Sequence, residues 1–290
     1  REQKMKLVRD KSCNRYCILA FTLLFASLAH CVRTTQDDTQ FEVLQSISHD
    51  TNAFTQGLTF DVDTGRLYES TGLYGASDVR EINPSTGEVI KVVDMDPQFF
   101  AEGMTLFETE SGEKRLIQIS WKKKTGWVYS ADSLELLQTF SYETSNGEGW
   151  GITYDAASKE FIVSDGSNWL HFWDRDTLEE KRRISVEVVI AETRSGNPKP
   201  LLTESVQRLN ELELIMDNGE VFILANRWNT NYIYKINAQS GFVACIYDMS
   251  SLSQDLPRRD VLNGISITEE EGVYYITGKL WSTMYVVRLL

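Results

Sequence analysis

The chain has 290 residues, 42% of them hydrophobic and 11% aromatic, which is ample for a full core in one domain. Its formal net charge of -13 opposes a phosphate backbone, so no nucleic-acid partner is expected. With three histidines in the chain, a histidine-built catalytic metal centre is not expected either.

Lys4, Lys6, Arg9, Lys11 and Arg15 precede residues 17–32, a run with no Asp, Glu, Lys or Arg. A basic flank ahead of a short apolar run reads as a secretory signal, with a small-x-small cleavage site at Ser27-Leu28-Ala29. The run is shorter than the about 20 residues a membrane span needs, so a retained anchor is the alternative. Residues 1–40 are therefore read as a signal or anchor with a short polar linker, and residues 41–290 as the folded domain. The expected location is the secretory pathway, extracellular or luminal. Cys13, Cys17 and Cys31 lie in the leader. Cys245 alone is in the body, where it is expected to be a small buried hydrophobe with no disulfide available to it. No N-x-Ser/Thr sequon is present.

The body opens with residues 41–48, Phe-Glu-Val-Leu-Gln-Ser-Ile-Ser, which alternate as a strand. Gln56-Gly57-Leu58-Thr59 then begins a pattern that returns as Glu102-Gly103-Met104-Thr105, Trp150-Gly151-Ile152-Thr153, Asn210-Glu211-Leu212-Glu213 and Asn263-Gly264-Ile265-Ser266. Each is a polar or aromatic residue, usually a glycine, then a short strand. The interval is roughly 50 residues, the period of a propeller blade. Between the repeats, apolar runs alternate with Gly-containing turns and predict four strands per blade. They fall at 56–60, 66–70, 79–83 and 88–94 in blade one, and at 103–107, 115–120, 126–131 and 136–142 in blade two. Blade three takes 151–154, 160–164, 170–174 and 180–186; blade four takes 212–216, 220–225, 231–237 and 241–248. Blade five has only 264–268, 272–277 and 283–290, so residues 41–48 supply its missing outer strand. The expected fold class is all-β, a five-bladed β-propeller closed by pairing of the N- and C-terminal strands. A two-sheet sandwich is the alternative. Residues 187–204 interrupt the period as an insertion, whose segment 189–195 reads equally as helix or loop.

In a propeller the leading ends of the inner strands meet at one mouth of the channel, and the second strands return there. The leading ends bring Phe54, Gln56, Phe100, Glu102, Trp150, Asn210 and Asn263; the returns bring Trp121, Asp165, Asn226, Trp228, Lys279 and Trp281. This is an aromatic box with one good acid–base group and one lysine, suited to a small ligand carrying at most one charge. His49 and His171 belong to no ligand-spaced cluster, and no Ser or Cys has an evident His–acid partner set. An all-oxygen set of Glu102, Asn210, Asn263 and Asp165 would suit a hard divalent cation instead.

Six motifs carry a family resemblance. They are Ala53-Phe54-Thr55-Gln56-Gly57-Leu58, Glu69-Ser70-Thr71-Gly72-Leu73-Tyr74-Gly75, Phe100-Ala101-Glu102-Gly103, Arg208-Leu209-Asn210-Glu211-Leu212-Glu213, Asp260-Val261-Leu262-Asn263-Gly264-Ile265 and Thr277-Gly278-Lys279-Leu280-Trp281. Together, over residues 41–290, the chain resembles the plant and bacterial type of glutaminyl-peptide cyclotransferase. The resemblance implies a five-bladed propeller that converts an N-terminal glutaminyl residue to pyroglutamate with loss of ammonia. It also implies Glu102 as the catalytic glutamate, with Phe54, Gln56, Phe100, Trp121, Trp150, Asn210, Trp228 and Lys279 lining the pocket. Two departures stand out. Gly147-Glu148-Gly149-Trp150-Gly151 is longer than the Asp-Gly-Trp-Gly expected there, and residues 187–203 look inserted.

These readings give an expected mechanism. The substrate's α-amine attacks its own γ-carboxamide, and one carboxylate, Glu102, moves the proton. Lys279 or Asn210 stabilises the oxyanion. No cofactor is expected to be required, although a structural cation such as calcium is compatible. Partners would be peptides or proteins with N-terminal Gln, and a monomer is expected. A metal-dependent propeller hydrolase and a non-catalytic peptide-binding propeller are the rivals.

Overall fold

Short runs of alternating apolar residues cannot bury their faces alone, so each hairpin recruits a second and the pairs stack. The computed structural model describes residues 40–190, 202–254, 256–257 and 260–290. The expected leader lies outside these residues, as does the linker except for Gln40. The closing strand is β1 (Phe41–Ser48). Blade one follows as β2 (Thr55–Asp61), β3 (Arg66–Thr71), β4 (Asp78–Ile82) and β5 (Val89–Asp94). Blade two is β6 (Ala101–Glu108), β7 (Lys114–Ser120), β8 (Thr125–Ser130) and β9 (Leu136–Ser141), and blade three is β10 (Ile152–Asp155), β11 (Glu160–Ser164), β12 (Trp169–Asp174) and β13 (Glu180–Ser185). A two-stranded ribbon, β14 (Glu187–Ile190) and β15 (Leu202–Ser205), precedes blade four. That blade is β16 (Leu209–Asp217), β17 (Glu220–Arg227), β18 (Tyr232–Asn237) and β19 (Val243–Asp248). Blade five is β20 (Leu262–Ile267), β21 (Val273–Gly278) and β22 (Thr283–Leu289).

Each blade is one antiparallel sheet in chain order, and blade five is completed as β1-β22-β21-β20. The inner strands β2, β6, β10, β16 and β20 touch in a ring, giving the five-bladed propeller. Closure runs from Phe41 opposite Leu289 to Ser48 opposite Thr283. His49 locks the end of that strand, its ring nitrogens facing Glu69 Oε1 at 2.9 Å and the Trp281 carbonyl at 2.8 Å. The apolar clusters lie between neighbouring blades. Phe161, Val163 and Trp173 of blade three meet Ile117, Ile119 and Val128 of blade two, for example. In the turns between third and fourth strands, Gly87, Leu134, Leu178 and Gly241 share one left-handed position with φ between 53° and 77°. A bulge follows there in each of these four blades. Leucine tolerates this strained backbone at position 134 because its side chain is buried against blade one.

The unpaired edges of the inner strands face the channel, and side chains from other blades satisfy them. Thr59 Oγ1 accepts from Leu106 N at 3.2 Å, and Thr153 Oγ1 from Leu214 N at 3.1 Å. At the second position of the repeat four blades have glycine: at Gly57, Gly103 and Gly151 the backbone of the next blade comes too close for a Cβ, and Gly264 adopts φ 126°. At Gly151 a Cβ would strike the Asn210 carbonyl. Blade four has Glu211 instead. Its two oxygens accept from Leu58 N (3.3 Å) and Ile265 N (2.8 Å), tying blade four to blades one and five. Glu211→Ala would orphan two buried amides, so it should lower stability by roughly 2–4 kcal/mol. A fall in the urea midpoint at unchanged m-value checks this; an unaltered midpoint would refute the clamp.

Two expectations are corrected or settled. The ends of the insertion are strands, with Glu187 opposite Ser205 and Ile190 opposite Leu202, and Glu187 also bridges Phe242. Cys245 is not a lone buried hydrophobe but disulfide-bonded. Its position in the strand Val243–Asp248 gave no sign of this. Cys13, Cys17 and Cys31 lie outside the described residues.

Candidate active site

The inner strands do not begin in simple register. Pairing slips between Thr55 and Gly57, Ala101 and Met104, Leu209 and Leu212, and Leu262 and Ile265. A bulge re-aims the side chain within it, and these four hold Gln56, Glu102, Asn210 and Asn263. All four are buried. Backbone bonds stitch the mouth together within blades, where Gly72 N donates to Phe54 O and Trp121 N to Phe100 O, and between neighbouring blades, where Gly149 N donates to Trp121 O and Leu280 N to Ala53 O.

An aromatic wall results. The Phe100 ring stands edge-on to Phe54 (6.0 Å between centroids), Tyr74 (5.4 Å) and Trp121 (5.6 Å). Trp150 stands edge-on to Trp228 at 5.8 Å, with Trp228 at the open rim and 40% exposed. The two halves are joined by Glu148, whose Oε2 accepts from Trp121 Nε1 at 2.8 Å and from Trp150 Nε1 at 2.9 Å. Lys279 is buried with its ammonium 4.8 Å from the centre of the Phe54 ring.

The polar groups within are unspent. Among the described residues, Glu102 Oε2, Asn210 Oδ1, Asn226 Nδ2 and Asn263 Oδ1 are buried with no hydrogen-bond partner. Buried polar groups are normally paired, so such a cluster marks a place built for a ligand's polar groups. Burial drives the Glu102 carboxyl well above the usual range. Lys279 pulls it down and Glu148 pushes it up, but desolvation dominates. Desolvation likewise brings Lys279 down to about 8, against the opposing pull of Glu102. A carboxyl and an amine pushed toward each other in pKa form a natural proton-handling pair.

The nine residues implied by the resemblance are therefore at this end of the ring. Phe54, Phe100, Trp121, Trp150, Trp228 and Lys279 are linked by the contacts above. Gln56 is reached through Asn263 Nδ2, 3.3 Å from its Oε1. The Asn210 carbonyl is tied to Ser164 Oγ at 2.8 Å, while its side-chain oxygen stays open. Trp281 is a core residue, donating from Nε1 to Asp260 O. Tyr74 and Glu148 were missed. Tyr74 follows Leu73, a non-glycine residue at φ 115°, the strained backbone that presents it.

The chain matches the sequence profile of the glutamine cyclotransferase family over residues 17–289. It belongs to that family. The glutaminyl-peptide cyclotransferase of Arabidopsis thaliana is 34% identical over 255 residues, covering 86% of this chain and 71% of that protein. The crystal structure of the Myxococcus xanthus glutaminyl cyclase superposes with a TM-score of 0.68 at 29% identity, covering 86% of this chain and 96% of that one.

In this glutamine cyclotransferase family member, Asp165 serves the loop that carries Glu148 and Trp150. It accepts from Ser145 Oγ (3.0 Å) and Asn146 N (2.8 Å), and its Oδ2 faces His171 Nε2 at 3.1 Å. Glu180 Oε2 holds the other ring nitrogen at 2.6 Å. This corrects two sequence expectations. Asp165 is committed here rather than to an all-oxygen cation site, and Ser145 lies 3.1 Å from a histidine with an acid behind it. A hollow of about 450 Å³ lined by Ser145, Glu180 and Arg183 adjoins them. The group is nevertheless not arranged as a nucleophilic triad, because carboxylates face both ring nitrogens and favour the protonated imidazole, the form that cannot act as base. Burial pulls His171 down, but hydrogen bonds to Asp165 and Glu180 outweigh it and its pKa ends above the usual value. Burial pushes Asp165 up, and its bonds to His171 and Ser167 outweigh that in turn, leaving it lowered. The Asp165 contribution is therefore full above about pH 4 and lost as pH falls through its depressed value. That of His171 is full below about pH 6.5 and lost as pH rises through its raised value. The melting temperature should accordingly decline on the alkaline side of neutrality, and His171→Gln should flatten that decline. An identical slope in the variant would contradict the assignment.

Proposed function

We propose that the protein converts N-terminal glutaminyl residues of peptides to pyroglutamate with release of ammonia, by general acid–base catalysis at Glu102 and without a metal. Family membership supports the reaction. The observation that carries the assignment to this site is the buried Glu102 carboxyl, whose Oε2 has no partner and which feels the charge of Lys279.

The reaction is intramolecular, so the protein's first task is conformational. Trp121, Trp150 and Trp228 fold the glutaminyl side chain until its α-nitrogen approaches its own γ-carboxamide carbon. Ionised Glu102 takes a proton from the α-amine as the new C–N bond forms. The carbonyl oxygen gains negative charge, and Lys279 is the cation placed to stabilise it, with Asn210 within the same pocket. Glu102 then returns the proton to the former amide nitrogen, the C–N bond breaks, and ammonia departs from a five-membered lactam. Atoms and charge balance with no co-reactant. The open Oδ1 of Asn263 is an acceptor suited to an N–H group of the peptide, and Asn263 Nδ2 orients Gln56 beside it.

The basic flank and apolar run of residues 4–32 support a secretory-pathway location, where extracellular or luminal peptides would be substrates. Mass spectrometry of a glutaminyl peptide incubated with the purified protein tests the reaction. A pyroglutamyl product is expected. Saturable binding of the peptide with no product would instead favour a binding module.

A further inference from the structure

We propose that Glu148 is a positioning residue. Its carboxylate holds the Trp121 and Trp150 indoles as paired walls around the glutaminyl side chain. The inference rests on the cyclotransferase reading and deepens it.

Trp121 and Trp150 come from different blades, and a single oxygen accepts both of their N–H groups. The relative angle of the two walls is thus set by one atom. Each indole passes the constraint on, Trp121 to Phe100 and Trp150 to Trp228. The loop is built to keep Glu148 in place. Thr144 Oγ1 donates to its carbonyl at 2.7 Å, and Gly147 adopts φ 72°. A Cβ on Gly149 would strike the Tyr142 hydroxyl. Asp165 pins the other end of the loop through Ser145 and Asn146. A solvated turn glutamate would need none of this.

The same carboxylate also bears on Glu102, pushing its pKa up after the larger effects of burial and Lys279. The groups that bear on Glu102 are Lys279 from the loop after β21, Glu148 from the loop before β10, and Tyr142 at the end of β9. Lys122, whose ammonium is 3.8 Å from Glu148 Oε1 and lies over the Trp121 ring, completes the surroundings. Of these, Glu148 is the carboxylate that opposes ionisation of Glu102. Neutralising it should ease that ionisation and move the acid limb of the pH–activity profile to lower pH.

The test compares Glu148→Ala and Glu148→Gln with wild type in the full chain, measuring kcat, KM and pH profile on a glutaminyl dipeptide. Misplaced walls should cost the alanine variant about 100-fold in kcat/KM. The glutamine variant keeps an acceptor oxygen for the indoles, so it should recover most of that loss while its acid limb lies below that of wild type. A merely structural role predicts recovery with an unmoved acid limb. That result, or an alanine variant within about twofold of wild type, would overturn the inference. Absence of ammonia release from wild type would overturn the cyclotransferase reading itself.

Discussion

Glu102→Gln should lower kcat at least about 100-fold, the ordinary scale of general acid–base catalysis, while leaving KM nearly unchanged. The substitution preserves volume in a buried site and removes only the ability to take and return a proton. It should not unfold the protein. Glu102 is desolvated and its carboxyl pKa is raised well above the usual range, so at neutral and higher pH its ionised form opposes folding. A neutral amide removes that opposition, and the variant should melt no lower than wild type at pH 8. Loss of turnover without loss of stability would separate a catalytic role from a structural one. Activity within about threefold of wild type would take Glu102 out of the mechanism.

Lys279→Met should cost about 10²–10³-fold in kcat, the effect of removing one preorganised oxyanion stabiliser. It should also change the shape of the pH profile. Wild-type kcat should rise as Glu102 ionises and fall as Lys279 loses its proton near its value of about 8. The methionine variant should retain the rising limb and lack the falling one. Burial makes the charged form of Lys279 costlier in the folded chain than in the unfolded one, so below about pH 8 its charge opposes folding and the substitution should leave thermal stability intact or improved. A falling limb that survives in the variant would assign it to another group.

The ring itself was legible because each blade repeats one physical unit. Two hairpins with Gly-containing turns follow a polar residue and a close-packed glycine, and the missing fourth strand of blade five called for residues 41–48. The site was legible to the extent that it belongs to that repeat. Gln56, Glu102, Trp150, Asn210 and Asn263 all occupy its first position. What escaped depends on pairing partners that no local pattern announces. The bulges that re-aim Gln56, Glu102, Asn210 and Asn263 appear only in the register against the second strand. The ribbon of β14 and β15 joins short segments separated by the body of the insertion. Glu148 in a glycine-flanked turn reads as a solvated charge until two indoles from different blades converge on it. His171 gains its meaning only from Ser145, Asp165 and Glu180, which three separate segments bring to one ring.

The most direct test of the account is ammonia release from a glutaminyl dipeptide by the purified protein, measured after exhaustive treatment with a chelator and beside the Glu102→Gln variant. The account predicts release that survives the chelator and nearly vanishes in the variant. Release abolished by the chelator and restored by a divalent cation would contradict a reaction carried by Glu102 without a metal.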